Sequence, residues 1–399
     1  MTEHAITGSG TGRRMRPRGR GETHRAATPL ELFFDLCFVV AVAQAGSQLA
    51  HDLSGSHLGH GILGYLFVFF GIWWAWMNFT WFASAYDTDD VPYRICTFVQ
   101  IVGALILAAG VPRAFADSDF SVTVTGYVVM RVALVAQWLR AAAANSGPHR
   151  EVALRYAAGV ALAQLYWVLW LIYVPTADKY WSALVGVVVE LGVPMVAERV
   201  TQTAWHPGHI AERYGCFTLI VLGESVSAAT IAVQTSVDEH QALRELLPIA
   251  AGGLLICFAA WWIYFARSVE DHLTSNRQAF SWGYGHYFVF LSAAAIGAGL
   301  EVAVEHAVGK AHISAHAATL GVTVPAAVYL FTVWALHSRH TKRGIALWVQ
   351  PVSAVAVLFS PSVLVAGLVC AASVAAGLLI HRAQEQRERQ EPREQGVKS

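Results

Sequence analysis

Long apolar runs alternate with short polar gaps along almost the whole chain. The runs fall at roughly 30–50, 58–82, 94–114, 121–143, 152–174, 180–197, 210–233, 246–267, 282–304, 316–337, 344–359 and 361–381. A helix needs about 20 residues to cross the hydrocarbon core of a bilayer. Each run meets or approaches that length, 344–359 being the shortest and "FSPS" at 359–362 the tightest separator. The pattern predicts an all-α polytopic integral membrane protein with about twelve transmembrane helices. Residues 1–27, rich in Gly, Thr and Arg, read as a disordered basic tail, and 382–399 as a polar tail.

Composition agrees. Hydrophobic residues make up 55% and charged residues 14%, against about 25% charged in a soluble domain. The net charge is zero, so only its distribution is informative. With the N-terminus in the cytoplasm and twelve crossings, four of the 27 Lys and Arg residues fall outside: Arg113, Lys179, Arg244 and Lys310. Arg131 falls mid-span, and the rest are cytoplasmic. That bias follows the positive-inside rule and places both tails in the cytoplasm, with the spans in the inner membrane. "RRMRPRGRG" before an apolar run resembles a secretory or twin-arginine signal. Glu31 and Asp35 interrupt that run, so it reads as a retained first helix.

The two halves look alike. "ELFFDLCFVVAVAQ" followed by "GIWWAWMNFTWFASAYDTDD" parallels "ERYGCFTLIVLGES" followed by "AAWWIYFARSVEDH". Glu31 matches Glu212, and Trp73 and Trp74 match Trp261 and Trp262. Six helices per half predict two parallel repeats, 28–197 and 198–381, related by an axis along the membrane normal.

Ionisable residues inside apolar runs are the candidates for chemistry. Glu31 follows Thr28 and Pro29 in a capping-box arrangement, with Thr at the N-cap, Pro at the first helical position and Glu at the third. A helix start explains it. Asp35 lies a turn deeper on the same face, about 9 Å along the axis from Pro29, where no cap accounts for it. Two readings stand for Asp35: a structural pair with an Arg, or an ion or proton site. Arg213 and Glu224 share a face of the seventh run about three turns apart, and Glu224 sits mid-span beside Gly223, Ser225 and Ser227. Glu190 precedes Gly192 and Pro194, which can break a helix and free its carbonyls. Arg131 is the natural partner for one of these acids. Asp35, Arg131, Glu190 and Glu224 are therefore the pathway candidates, with a structural Arg–Glu pair as the alternative. His209, Glu212 and Arg213 cluster at one end of their helix.

Other features carry less. His51, His57 and His60, and His306, His312 and His316, fit no metal-ligand spacing and read as solvated loops. "DTDD" at 87–90 reads as a turn before it reads as a cation site. The cysteines Cys37, Cys96, Cys216, Cys257 and Cys370 form no CxxC pair and read as small buried hydrophobes. "GSGTG" has no strand–helix context, and no GxSxG or HExxH occurs. No metal or cofactor is expected. The expected partners are the lipid bilayer and a small ion or solute, without nucleic acid; oligomeric state is open.

"ELFFDLCFVVAVAQ", "YRICTFVQIVGALILAAGVPRAF" and "HIAERYGCFTLIVLGESV" together resemble the bacterial low temperature requirement A family, over about 28–380. The resemblance implies a multi-pass bacterial membrane protein linked in some members to growth in the cold, and supplies no molecular activity. Glu31, Asp35, Arg94, Pro112, Arg113, His209, Glu212, Arg213, Gly223 and Glu224 carry over as family positions. Cys37 and Cys216 stand where an ordinary apolar residue is expected. The leading expectation is a secondary transporter or ion pathway using intramembrane carboxylates. The alternatives are a membrane enzyme acting on lipid or a lipid-linked substrate, and a non-catalytic membrane sensor or scaffold.

Overall fold

The computed structural model describes residues 14–19, 25–55, 57–238, 243–266, 269–270, 273–340, 342 and 344–396. Among them are twelve α-helices and no strand. They are α1 (Pro29–Ser54), α2 (Leu58–Tyr86), α3 (Val91–Ala116), α4 (Ser121–Ala144), α5 (Gly147–Tyr173), α6 (Lys179–Ala197), α7 (Pro207–Asp238), α8 (Leu243–Phe265), α9 (Asn276–Ala307), α10 (Ala315–Val333), α11 (Val349–Leu358) and α12 (Val363–Gly396). Ten are long and apolar enough to cross a membrane. α11 is a short apolar helix of 10 residues, and α7 runs for 32. The protein is an all-helical polytopic membrane protein, as the apolar pattern predicts. Large apolar side chains such as Leu162, Ile172, Val188 and Phe258 lie exposed on the helices, and in a bilayer they face lipid.

Local sequence sets the helix ends. Asp90 caps α3, its side chain accepting from the Tyr93 N–H at 3.1 Å, with proline in the first turn. Ser314 caps α10, accepting from Ala317 at 3.2 Å. α10 passes into one π-helical turn, Trp334–Ser338. α12 continues through the polar stretch after 381 as far as Gly396, where Gln, Glu, Arg and Ala are good helix formers.

The chain divides into two compact units. The first comprises residues up to Gln48, Gly59–Phe217 and Leu273–Asn276; the second comprises Leu49–Leu58, Thr218–His272 and the residues from Arg277 onward. In the first, α3, α4, α5 and α6 pack in succession. A Cβ on Gly126 of α4 would stand 2.3 Å from the backbone nitrogen of Leu107 and 2.5 Å from the carbonyl oxygen of Gly103. α3 and α4 therefore meet at their backbones. Small residues permit such an approach between membrane helices. In the second unit α9 and α10 meet in the same way: a Cβ on Gly299 would stand 2.1 Å from the Gly321 carbonyl oxygen. α8 and α12 meet at Gly252 and Gly367.

Part of the amino-terminal stretch read as a disordered tail is packed. Met15 is buried, the Arg18 N–H donates to the Ala85 carbonyl at 3.0 Å, and Arg25 is buried. Backbone carbonyls at the end of α2 hold Arg18 and Arg25, and the Met15 carbonyl accepts from Asn145 Nδ2 at 2.8 Å.

Candidate functional site

α2 organises the first unit's charged interior. Trp74 and Trp76 are two residues apart, so their side chains leave the helix about 200° apart. Each indole N–H donates to a different buried acid: Trp74 to Glu190 Oε2 at 2.8 Å, and Trp76 to Asp35 Oδ1 at 2.6 Å. Two separate ionic clusters result.

The first cluster joins α1, α2 and α7. Arg213 of α7 grips Asp35 with two nitrogens, Nε donating to Oδ2 at 3.0 Å and Nη2 to Oδ1. Its Nη1 lies 3.4 Å from Glu31 Oε1. Glu31 forms both halves of the capping box: the Thr28 N–H donates to Oε2 at 2.7 Å, and the Glu31 N–H to Thr28 Oγ1 at 3.3 Å. It is more than a helix start, because Oε2 also lies 3.2 Å from His209 Nε2 and Oε1 lies 3.8 Å from Arg25 Nη2. Glu31, Asp35, His209 and Arg213 are all at 0% exposure. Oε1 of Glu31, Nη1 of Arg213 and Nδ1 of His209 make no hydrogen bond. The acids are thus held unequally: Asp35 by a bidentate fork, Glu31 by looser ion pairs and a histidine.

Arg25 extends the cluster to the α2–α3 turn. It donates to the Ala83 carbonyl at 2.7 Å and to the Ser84 carbonyl, and lies 4.0 Å from Asp87. Burial pushes the Asp87 carboxyl up to about 6, and the Glu31 charge adds to that. The Asp89 N–H, Arg25 and Arg18 act in the opposite direction. The "DTDD" acids are occupied as a turn. Asp87 accepts from the Asp89 N–H at 2.9 Å, Asp89 pairs with Arg94 at 2.8 Å, and Asp90 caps α3 and holds Arg140. Among the described residues no group of His, Cys, Asp and Glu is arranged to hold a metal.

The second cluster centres on Glu190 of α6. Oε1 accepts from Tyr127 Oη at 2.7 Å, Gln164 Nε2 at 3.2 Å and Trp167 Nε1 at 3.2 Å. Oε2 accepts from Trp74 and, at 3.1 Å, from Arg131 Nη2. Five donors from three helices, α2, α4 and α5, converge on one carboxylate, and Arg131 is its cationic partner. These protein groups take the place of water around the buried carboxylate.

Within the first unit the pathway candidates fall into two groups. Asp35 joins Arg213, Glu31 and His209, whereas Arg131 joins Glu190. Glu224 belongs to the second unit, half-buried, with no ion pair among the described residues. Its neighbour Ser225 donates to the Ala293 carbonyl at 2.8 Å. Glu212 is exposed and accepts from the Ala27 N–H at 3.1 Å. Arg94 lies at the surface. Sequence reasoning missed Arg25, Trp76, Tyr127, Gln164 and Trp167. Trp76 had a usable signal, standing two residues beyond Trp74 in "WWAW"; Arg25 had none, lying in a stretch with the composition of a tail.

The model of the bacterial low temperature requirement A protein family matches residues 26–383. The chain belongs to that family. Two motifs of the chain, "ELFFD" and "HIAERYG", supply Glu31 and Asp35, and His209 and Arg213. They meet in the first ionic cluster. A protein of Rhizobium meliloti (strain 1021) that bears the name "Uncharacterized protein" is similar to the chain, 28% identical over 284 residues. The match covers 64% of each, so the chain spans less than two thirds of that relative's length.

Proposed function

We propose that this protein is a proton pathway across the membrane, with the Glu31–Asp35–His209–Arg213 cluster as its proton-carrying site. One observation carries the reading. Two fully buried carboxylates share a single arginine, and the more loosely held one touches a histidine. Buried charges are costly in a membrane and mark ion and proton pathways. His209 is the residue type suited to pass a proton near neutral pH. A proton arriving on Glu31 through His209 removes a negative charge that faces Arg213 and Arg25. Asp35 is then the one acid still paired with Arg213 among the described residues, and the contact between α1 and α7 loosens at its Glu31 end. Loss of the proton restores it. Asp35 and Arg213 are the fixed part of the site, and Glu190 with Arg131 is a strut that positions α2 from its other face.

The surrounding architecture is in keeping. The glycine-closed hairpins α3–α4 and α9–α10 occupy corresponding places in the two halves, which supports the parallel repeat. The matched residues differ in setting, since Trp73 and Trp74 are buried while Trp261 and Trp262 are half exposed. In this reading the halves have diverged: the first holds the proton-carrying acids, and Glu224 is the exchangeable carboxylate of the second. The charge bias of the loops supports an inner-membrane location with both termini cytoplasmic.

The test is proton flux in proteoliposomes carrying a trapped pH dye, with a membrane potential imposed by potassium and valinomycin. Wild type should acidify the lumen faster than protein-free vesicles. Glu31→Gln and His209→Asn, which keep the cluster's size, should lose that flux. A wild-type rate equal to that of empty vesicles overturns the proposal.

A further inference from the structure

The second unit contains a cavity of about 700 Å³, within the range of small-molecule sites. It lies where α8, the π-helical end of α10, α11 and the end of the apolar part of α12 come together. Its chemistry is one-sided. Among the described residues Lys342, Gln350, Ser373, His337 and His381 line it, and no carboxylate does. Lys342 Nζ donates to Gln350 Oε1 at 3.1 Å, which turns the amide's Nε2 away from the lysine. That Nε2 and Ser373 Oγ are buried without a hydrogen-bond partner, although Gln350 is 2% and Ser373 5% exposed. Buried donors without acceptors are uncommon and costly. Here they point to a ligand rich in acceptor oxygens. The other wall is apolar: Trp261, Trp262, Phe265 and Leu378. Trp residues beside a lysine at the end of apolar helices mark the head-group level of a bilayer.

We infer that this cavity binds an anionic phospholipid, its phosphate on Lys342, Gln350 and Ser373 and its chains along Trp261, Trp262 and Phe265. A phosphate supplies the acceptors that the buried donors lack and the charge that the lysine favours. Among the described lining residues no carboxylate stands ready to receive the ammonium of a zwitterionic head group. The site is separate from the proton-carrying cluster, so this inference and the proton-pathway reading stand or fall apart.

Gly377 offers a clean probe. It lines the cavity, and a Cβ built on it meets nothing within 4 Å. Gly377→Phe should fill the space without disturbing the fold. Native mass spectrometry of the purified full-length protein would be titrated separately with phosphatidylglycerol, phosphatidylcholine and inorganic phosphate. We expect one saturable phosphatidylglycerol site, with phosphatidylcholine binding about tenfold or more weaker. Lys342→Gln should weaken the phosphatidylglycerol site by about tenfold. Gly377→Phe should abolish it at unchanged melting temperature. Equal binding of the two lipids, or unaltered phosphatidylglycerol binding by both variants, overturns the inference. Inorganic phosphate that binds alone and displaces phosphatidylglycerol also overturns it, showing a site for a soluble phosphate. If Gly377→Phe melts early, Lys342→Gln alone decides.

Discussion

Replacing Arg213 by Met removes the only cation among the described residues that touches both Asp35 and Glu31. The guanidinium gives Asp35 two hydrogen bonds and stands 3.4 Å from Glu31. All three side chains are at 0% exposure, so water cannot take the arginine's place. Breaking one partner out of a buried pair costs about 3–5 kcal/mol, because a charge is left unpaired. Glu31 keeps Arg25 at 3.8 Å and His209 at 3.2 Å, so Asp35 bears most of the loss. A melting transition of a 399-residue protein falls by roughly 1.2 °C per kcal/mol, which puts Arg213→Met roughly 4–6 °C below wild type. Tryptophan fluorescence during heating of the detergent-purified protein reads this out. Asp35→Leu should fall comparably, since it leaves the arginine half-paired. The double variant should recover most of the loss, as an apolar pair often replaces a buried ionic one at little cost. The cycle should then give a coupling of about 2 kcal/mol or more. Additive losses, or an Arg213→Met protein melting with wild type, would refute the claim that this pair is dry and mutually dependent.

Glu190→Gln should destabilise the protein by about 2–4 kcal/mol, since its amide brings two donors into a cage that already supplies five; a denaturation midpoint close to wild type would contradict that cage. Gly126→Ala should lower the melting temperature markedly, by about 2–3 kcal/mol of overpacking against the Leu107 backbone, while Gly192→Ala, with open space around its Cβ, should not. Asp87 gives a pH dependence. Its folded carboxyl lies at about 6, above an unfolded value of about 4. Its protonated form therefore stabilises the fold, fully below pH ~4, and that contribution is lost as the pH rises through ~6. Asp87→Asn should gain on wild type by up to about 3 kcal/mol between pH ~4 and ~7, and parallel melting curves across that range would count against it.

The helical architecture is legible in the sequence because hydrocarbon imposes a single requirement, runs of apolar residues long enough to cross. The buried acids are legible for the same reason: Asp35 and Glu190 stand out in apolar runs that charge normally avoids. Their partners are harder to read. Arg131 is the one mid-span base, yet nothing in its neighbourhood distinguishes Glu190 from Glu224. Arg213 shares a helix with Glu224, and its partner is Asp35, 178 residues away. Distances along the chain do not report which helix faces which. The indole donors are hidden more deeply, because tryptophan in a membrane helix is common for reasons of packing and interface, and only geometry gives Trp74 and Trp76 their separate acids. The Glu31 signature predicts a cap, and the cap is there; its ion pairs come from α7 and from Arg25, which local spacing cannot contain.

The most direct test of the central claim is potential-driven proton flux through wild-type and Glu31→Gln protein in the same proteoliposomes. Both proteins must first be shown to melt within a few degrees of each other. The account predicts lumen acidification by wild type and its loss in Glu31→Gln. Equal fluxes from the two, or no flux from wild type above that of protein-free vesicles, would contradict it.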